Sequence, residues 1–297
     1  MNWSKGWSIG IAAVVVGLTT LGVGYWAGRR TPTASAPTTV APPAAPTATV
    51  RPQPVAPAVS APPAAPALTT VEQAIAREEW VEARQLCQQL LQEHPESPAA
   101  AQAQQRLGDI NVQLLFHPSS APGAPFYKGY TIESGDTLGR IARRSKTTVE
   151  LLQKANRLAG EKILVGHALK VPTVAFSVVV DKSQNTLTLK ADEEVVKTYG
   201  VSTGKDNQTP VGTFTIVNKL VDPPWYTAQG VIPPGSPENI LGTRWLGFSK
   251  PGYGIHGTTD PGAIGQSVTA GCVRMRNAEV EELYALLPMG TDVTIVD

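Results

Sequence analysis

The sequence predicts a multidomain chain that ends in a β-sandwich-like domain, mainly β with a C-terminal helix, preceded by a small βααβ module and an α-helical hairpin. Three observations lead there. After residue 174 the chain runs in short aliphatic and β-branched pieces, such as Phe176-Ser177-Val178-Val179-Val180 and Leu187-Thr188-Leu189, punctuated by Gly, Pro and Asn, which is the pattern of successive strands and turns. Between residues 68 and 117, Val71, Ala74, Ile75, Leu86, Leu90 and Leu91 recur at helical spacing. Residues 31–67 are almost wholly Pro, Ala, Thr and Val, with Arg51 their one charge. A segment of that kind cannot bury a core and acts as an extended spacer.

From the start of the chain, residues 7–27 form an uncharged apolar run with Lys5 before it and Arg29-Arg30 after it. The run is about long enough to cross a bilayer as a helix, and Trp3, Trp7, Tyr25 and Trp26 stand where interfacial aromatics anchor its ends. Residues 1–30 are therefore expected to be a transmembrane anchor. The alternative is a cleaved signal peptide ending near Ala34-Ser35-Ala36, which would have a shorter apolar run. The spacer over residues 31–67, at about 3.1 Å per residue, can hold later domains on the order of 100 Å away.

The helical stretch, residues 68–117, breaks at Pro95-Glu96-Ser97-Pro98 and resumes from Ala99 to Phe116, which predicts a hairpin. Trp80-Val81-Glu82-Ala83 with Pro95, Ala103 and Leu107-Gly108 resembles a tetratricopeptide unit. One such repeat rarely folds alone. It needs a second copy, a neighbouring domain or a protein partner against its apolar face. Cys87 beside Leu86 reads as a small packed side chain.

Residues 126–172 read as strand, capped helix, helix and closing strand. Asp136 or Thr137 can cap a helix whose Leu138 and Ile141 face inward. Tyr130-Thr131-Ile132, Gly135-Asp136-Thr137-Leu138, Asn156 and Leu169-Lys170-Val171-Pro172 resemble a LysM domain. The resemblance implies binding of N-acetylglucosamine-containing glycan, here peptidoglycan, with Gly135, Asp136 and Thr137 on one side of the groove and Ile163 and Leu164 on the other.

The last domain spans residues 174–297. Near its end, Ile255-His256-Gly257 and Gly271-Cys272-Val273-Arg274-Met275 set an imidazole, a thiol and a guanidinium within about twenty residues. This is what thiol acyl transfer requires: a sulfur nucleophile, a base that lowers its pKa and small neighbours that admit a substrate backbone. Arg274 can hold a carboxylate by two parallel hydrogen bonds. The segment resembles the catalytic signature of the YkuD family of L,D-transpeptidases, and Thr209-Pro210-Val211-Gly212-Thr213-Phe214 resembles a second element of that family. Thr269 stands where the family more usually has Ser, and Ala270 where it often has a polar residue.

The resemblance implies Cys272 as nucleophile and His256 as base, with the Gly257 carbonyl fixing the imidazole tautomer. Gly271, Thr269 and Arg274 are expected on the substrate side, and Tyr226, Trp245 and Tyr253, in a Pro/Gly-rich segment between residues 221 and 254 that resembles the family's substrate-side flap, are expected to line the acyl-donor groove. Asp260, in a turn with Pro261-Gly262, stays outside the catalytic set. The reaction implied is a 3-3 crosslink between wall tetrapeptides through a thioester. Water as acceptor would give an L,D-carboxypeptidase and a protein lysine would give wall attachment. A degenerate domain would be a wall-binding scaffold.

Composition sets limits on all of this. A formal net charge of +1 argues against nucleic acid as a ligand. Two cysteines in different domains give no disulfide framework, and four scattered His give no zinc cluster. No cofactor is expected. Anchor, spacer and wall chemistry together place the catalytic domain outside the cytoplasm, in the cell envelope.

Overall fold

The computed structural model describes residues 64–118 and 126–297. The expected anchor, and all but the last few residues of the spacer, lie outside the described residues. Among those described, no helix is long and apolar enough to cross a membrane.

The helical stretch holds three helices where a hairpin was expected: α1 (Ala64–Ala76), α2 (Trp80–Glu93) and α3 (Pro98–Phe116). The extra break falls at Glu78, whose φ of 57° is left-handed and incompatible with a continuing helix. The spacer correspondingly ends earlier than residue 67, because α1 already includes Ala64. Ser97 caps α3 by accepting the Ala100 N–H at 3.1 Å, with Pro98 at the first helical position. Val71, Ala83, Cys87, Leu90, Ala103 and Ile110 pack the three helices together.

The βααβ module is as read. Strands β1 (Tyr127–Thr131) and β2 (Ala168–Pro172) pair antiparallel, with α4 (Leu138–Arg144) and α5 (Val149–Ala155) between them. Thr137 caps α4 and Thr148 caps α5, each accepting an N–H three residues on. Of the two residues that could cap α4, the hydroxyl at 137 does so.

The C-terminal domain consists of β3 (Phe176–Asp181), β4 (Thr186–Ala191), β5 (Glu194–Gly200), β6 (Thr203–Gly204), β7 (Gly212–Val221), β8 (Trp225–Thr227), β9 (Gly230–Ile232), β10 (Arg244–Phe248), β11 (Gly254–His256), β12 (Ser267–Thr269), β13 (Val273–Arg274), α6 (Asn277–Leu286) and β14 (Asp292–Val296). Eight strands form one curled sheet in the order β13-β11-β10-β7-β14-β3-β4-β5. The sandwich-like shape comes from β7. Its first residues pair with β14 and its later ones with β10, so one long strand carries the chain from one half of the sheet to the other. Alternation along β3 and β4 sends Val178, Val180, Leu187 and Leu189 inward, where Val280, Leu283 and Leu286 of α6 close the core.

These parts share their interior. Val112, Leu115 and Phe116 of α3 and Leu151 of α5 belong to the same buried cluster as Val196, Tyr199 and the α6 leucines. α3 lies on the edge strand β5 so closely that a Cβ on Gly108 would come 2.9 Å from Lys197 Cγ. Buried Asn111 donates to the Val196 carbonyl at 3.0 Å, and Lys197 bridges Asp109 at 2.8 Å and Glu282 at 2.9 Å. Thr148 donates to the Ala285 carbonyl at the end of α6. Of the three ways the helices could bury their apolar face, the neighbouring domain is the one used, and the β5 edge is covered in the process.

Candidate active site

β11 and β13 are adjacent and parallel, with Ile255 opposite Val273 and His256 opposite Arg274. Ile255 and Val273 are fully buried, so they pin both strands into the core. Period-two alternation then turns His256, Arg274 and, by extension, Cys272 toward one face. Standard strand spacing and rise put the Cys272 and His256 backbones about 8 Å apart on that face, within reach of each other's side chains.

The imidazole is fixed. His256 Nδ1 lies 2.7 Å from the Gly257 carbonyl. A carbonyl only accepts, so the proton sits on Nδ1 and the lone pair is on Nε2. Burial pushes this histidine down to about 4, with the Arg274 charge adding to the shift and the Gly257 carbonyl opposing it. Burial also raises the Cys272 thiol, against the Gly254 N–H and the Arg274 charge, which lower it. The resting pair is therefore neutral thiol and neutral imidazole. The thiol donates weakly to the Gly252 carbonyl at 3.6 Å.

The loop carrying Cys272 is built by Thr269 and Gly271. The Thr269 hydroxyl donates to the Cys272 carbonyl at 2.6 Å and accepts the Gly271 N–H at 3.2 Å. The Thr269 hydroxyl thus makes its two hydrogen bonds within the loop. Gly271 has φ of 120°, and a Cβ there would meet the Tyr253 ring at 2.7 Å and the Gln208 carbonyl at 3.0 Å. Only glycine fits.

Arg274 is held on both sides by backbone pairing with Ser202. Its Nε is buried without a hydrogen-bond partner. The side chain borders a cavity of about 350 Å³ that Asp260, Gly262, Ala263, Gln266 and Val268 complete. A larger cavity, about 840 Å³, is lined by Trp80, His117, Asn156, Arg157 and others between the helices and the βααβ module, and none of the reactive groups borders it. Chemistry outranks size in choosing between them.

The aromatic residues separate in role. Trp245 stacks on His256 with centroids 6.0 Å apart. Tyr253 backs Gly271. Tyr226 stands on the separate β8–β9 hairpin and is 73% exposed. In the βααβ module, Asp136 accepts from the Tyr130 hydroxyl at 2.6 Å and the Glu133 N–H at 3.0 Å, with Arg144 3.5 Å away. Those bonds, the Tyr130 one first, hold its carboxyl below the usual range. Asp136 and Thr137 therefore spend their side chains on their own loop. Of the other residues expected in the groove, Gly135 has φ of 85°, Leu164 is exposed and Ile163 half-buried.

Two supporting residues escape the sequence reading. Asn277 Oδ1 accepts the N–H of Thr258 at 2.9 Å and of Thr243 at 3.3 Å, stapling the loop after His256 to the start of β10. A Cβ on Gly257 would sit 2.1 Å from that oxygen. Asn218 accepts from the Trp245 indole. A lone Asn carries no pattern that would have marked either. Among the described residues no group of three or more His, Cys, Asp or Glu could hold a metal ion.

Residues 175–295 match the L,D-transpeptidase catalytic domain YkuD, and residues 130–172 match the LysM domain. Putative L,D-transpeptidase YkuD of Bacillus subtilis (strain 168) is 36% identical over 173 residues, which are 56% of this chain and 97% of that protein. The chain belongs to the YkuD family of L,D-transpeptidases. Putative L,D-transpeptidase YqjB of the same organism is 43% identical over 126 residues, 40% of this chain and 70% of that protein. The NMR structure of the catalytic domain from E. faecium L,D-transpeptidase aligns over 41% of this YkuD-family chain and 96% of that one, at 21% identity and a TM-score of 0.34.

Proposed function

We propose that this protein is a peptidoglycan L,D-transpeptidase that forms 3-3 crosslinks through a cysteine acyl-enzyme. The observation that carries the reading is the shared face of β11 and β13, to which Cys272, a histidine whose Nδ1 is held by the Gly257 carbonyl and an arginine with an unpaired Nε all turn. Cys272 passes its proton to His256 Nε2 as its sulfur attacks the carbonyl joining the third residue of a wall tetrapeptide to the terminal D-alanine. The amine of D-alanine leaves with that proton, and a thioester remains. A side-chain amine of a second stem then attacks the thioester, gives its proton to His256 and releases the thiolate.

The Gly271 N–H is spent on Thr269, so the amide of Cys272 itself is the donor that faces the developing oxyanion. Arg274 holds a substrate carboxylate in the adjoining cavity. The LysM module holds the glycan strand, with Gly135, Ile163 and Leu164 as its exposed contacts. Because α3 and α5 both pack residues into the buried cluster of the catalytic domain, the glycan site and Cys272 keep a nearly constant separation, and the helices act as a brace more than as a docking site for a partner. The protein works outside the cytoplasm, with residues 7–27 as its anchor to the membrane.

The test is mass analysis of products from purified tetrapeptide muropeptides. Crosslinked dimers lacking one D-alanine are expected. Tripeptide alone would make the enzyme a carboxypeptidase, a stem joined to protein lysine would make it an attachment enzyme, and unchanged substrate would make it a binding scaffold.

A further inference from the structure

Beyond the nucleophile and base, we infer that Trp245 and Asn218 are positioning residues for His256: Asn218 locks the Trp245 indole flat against the imidazole, and the indole face steadies that ring and its protonated form. The inference rests on the reading of His256 as the proton carrier, and deepens it.

The geometry is built from residues on three strands, β7, β10 and β11. Trp245 and His256 are direct cross-strand partners on β10 and β11, and one register step on, Gly247 faces Gly254. All four side-chain directions lie on the same face. The two glycines leave the floor on which the indole rests. A Cβ on Gly254 would come 2.8 Å from Trp245 Cζ2, and one on Gly247 would come 2.7 Å from Trp245 Nε1 and 2.3 Å from Asn218 Oδ1. On the far side, Asn218 of β7, itself the partner of Gly247, accepts the indole N–H at 3.0 Å. The indole therefore has one orientation, and its plane lies 19° from that of the imidazole at a centroid distance of 6.0 Å.

Two consequences follow for the proton transfer. A stacked ring blocks rotation of the imidazole, so Nδ1 stays on the Gly257 carbonyl and the lone pair stays on Nε2. An aromatic face within about 6 Å attracts a cation, so the indole favours imidazolium at the moment His256 has taken the thiol proton. That help matters because burial and the Arg274 charge on β13 both disfavour the cation, while the Gly257 and Leu241 carbonyls are its other supports. Cys272 on the same face supplies the proton, and the Tyr253 phenol stands behind its neighbour Gly271. Trp245 thus acts on the base, where the sequence had placed it in the acyl-donor groove.

The test uses the full chain and two readouts. The first is kcat and KM for tetrapeptide muropeptides across pH 5 to 9. The second is alkylation of Cys272 by iodoacetamide, followed by peptide mass, which reports thiolate formation whether or not the crosslinking reading holds. Trp245→Leu is expected to lower kcat about ten-fold with KM little changed, to slow alkylation similarly near neutral pH, and to shift the acid limb of the profile. Trp245→Phe, which keeps a ring face, restores most of the rate. Asn218→Ala, at an exposed position, costs about three-fold, and Asn218→Asp, which keeps the acceptor, costs less. In a His256→Gln background Trp245→Leu adds nothing to the alkylation defect. A rise in KM with unchanged kcat, or an alkylation defect that persists without the imidazole, would overturn the inference. Should Trp245→Leu fail to fold, the Asn218 pair decides by the same criteria.

Discussion

The Tyr253 ring lies against the backbone of Gly271, filling the space where a side chain at 271 would go: a Cβ there would be 2.7 Å from ring Cε1. Gly271→Ala is expected to destabilise the protein by about 2 kcal/mol or more, since it adds both a clash and a strained positive φ. Pairing it with Tyr253→Ala relieves only the clash. Denaturant titration of the two variants should show partial recovery in the double mutant, and full recovery would mean that the φ of 120° costs nothing.

Cys272→Ala should abolish crosslinking and leave the melting temperature close to that of the wild type, because Sγ makes only weak hydrogen bonds, a long one to the Gly252 carbonyl and one from the Gly254 N–H. Continued turnover by that variant would remove the thioester from the mechanism.

Arg274→Lys keeps the positive charge beside Cys272 and His256 but loses the forked geometry. The expected outcome is a KM about ten-fold higher for donors bearing a free carboxylate, with stability almost unchanged. Steady-state kinetics with amidated and unamidated donors would check it, and equal KM values for wild type and variant would exclude the carboxylate contact.

His256 titrates near 4 in the folded protein and near 6.5 when free of its surroundings. Between those values the unfolded chain holds a proton that the folded one refuses. Stability therefore falls as pH drops from about 6.5 to about 4 and levels off below, by no more than about 3 kcal/mol from this group. His256→Gln should flatten that part of the profile, as measured by denaturant unfolding at pH 7 and pH 4.5.

Asn111 holds α3 to the catalytic sheet through the Val196 carbonyl, and its own oxygen accepts from Arg84 at 3.0 Å. Asn111→Ala strands a buried carbonyl and should cost about 1–3 kcal/mol. Loosening of the brace would appear as faster proteolysis in the segment joining α3 to β1. Unchanged proteolysis would show that apolar packing alone holds the helices in place.

Much of the fold could be read from residue order. The strands over Phe176–Asp181 and Thr186–Ala191 and the C-terminal helix follow from short-range rules. So does the βααβ module, whose caps and apolar positions lie within one turn of each other. The break at Glu78 did not show, because neither Glu78 nor Glu79 carries a turn signature; the left-handed backbone there serves the packing of α1 on α2 and α3.

At the site, the sequence by itself determined the chemistry: a thiol, an imidazole and a guanidinium flanked by glycines, in an order and spacing that a local motif records. Only the tertiary structure decided who supports them. Asn277 reaches the loops after His256 and before β10, Asn218 reaches Trp245, and Lys197 ties α3 to α6. Each of those contacts depends on strand register and on how the curled sheet brings distant segments together, and side-chain identity at one position carries no record of a partner chosen by packing across the core.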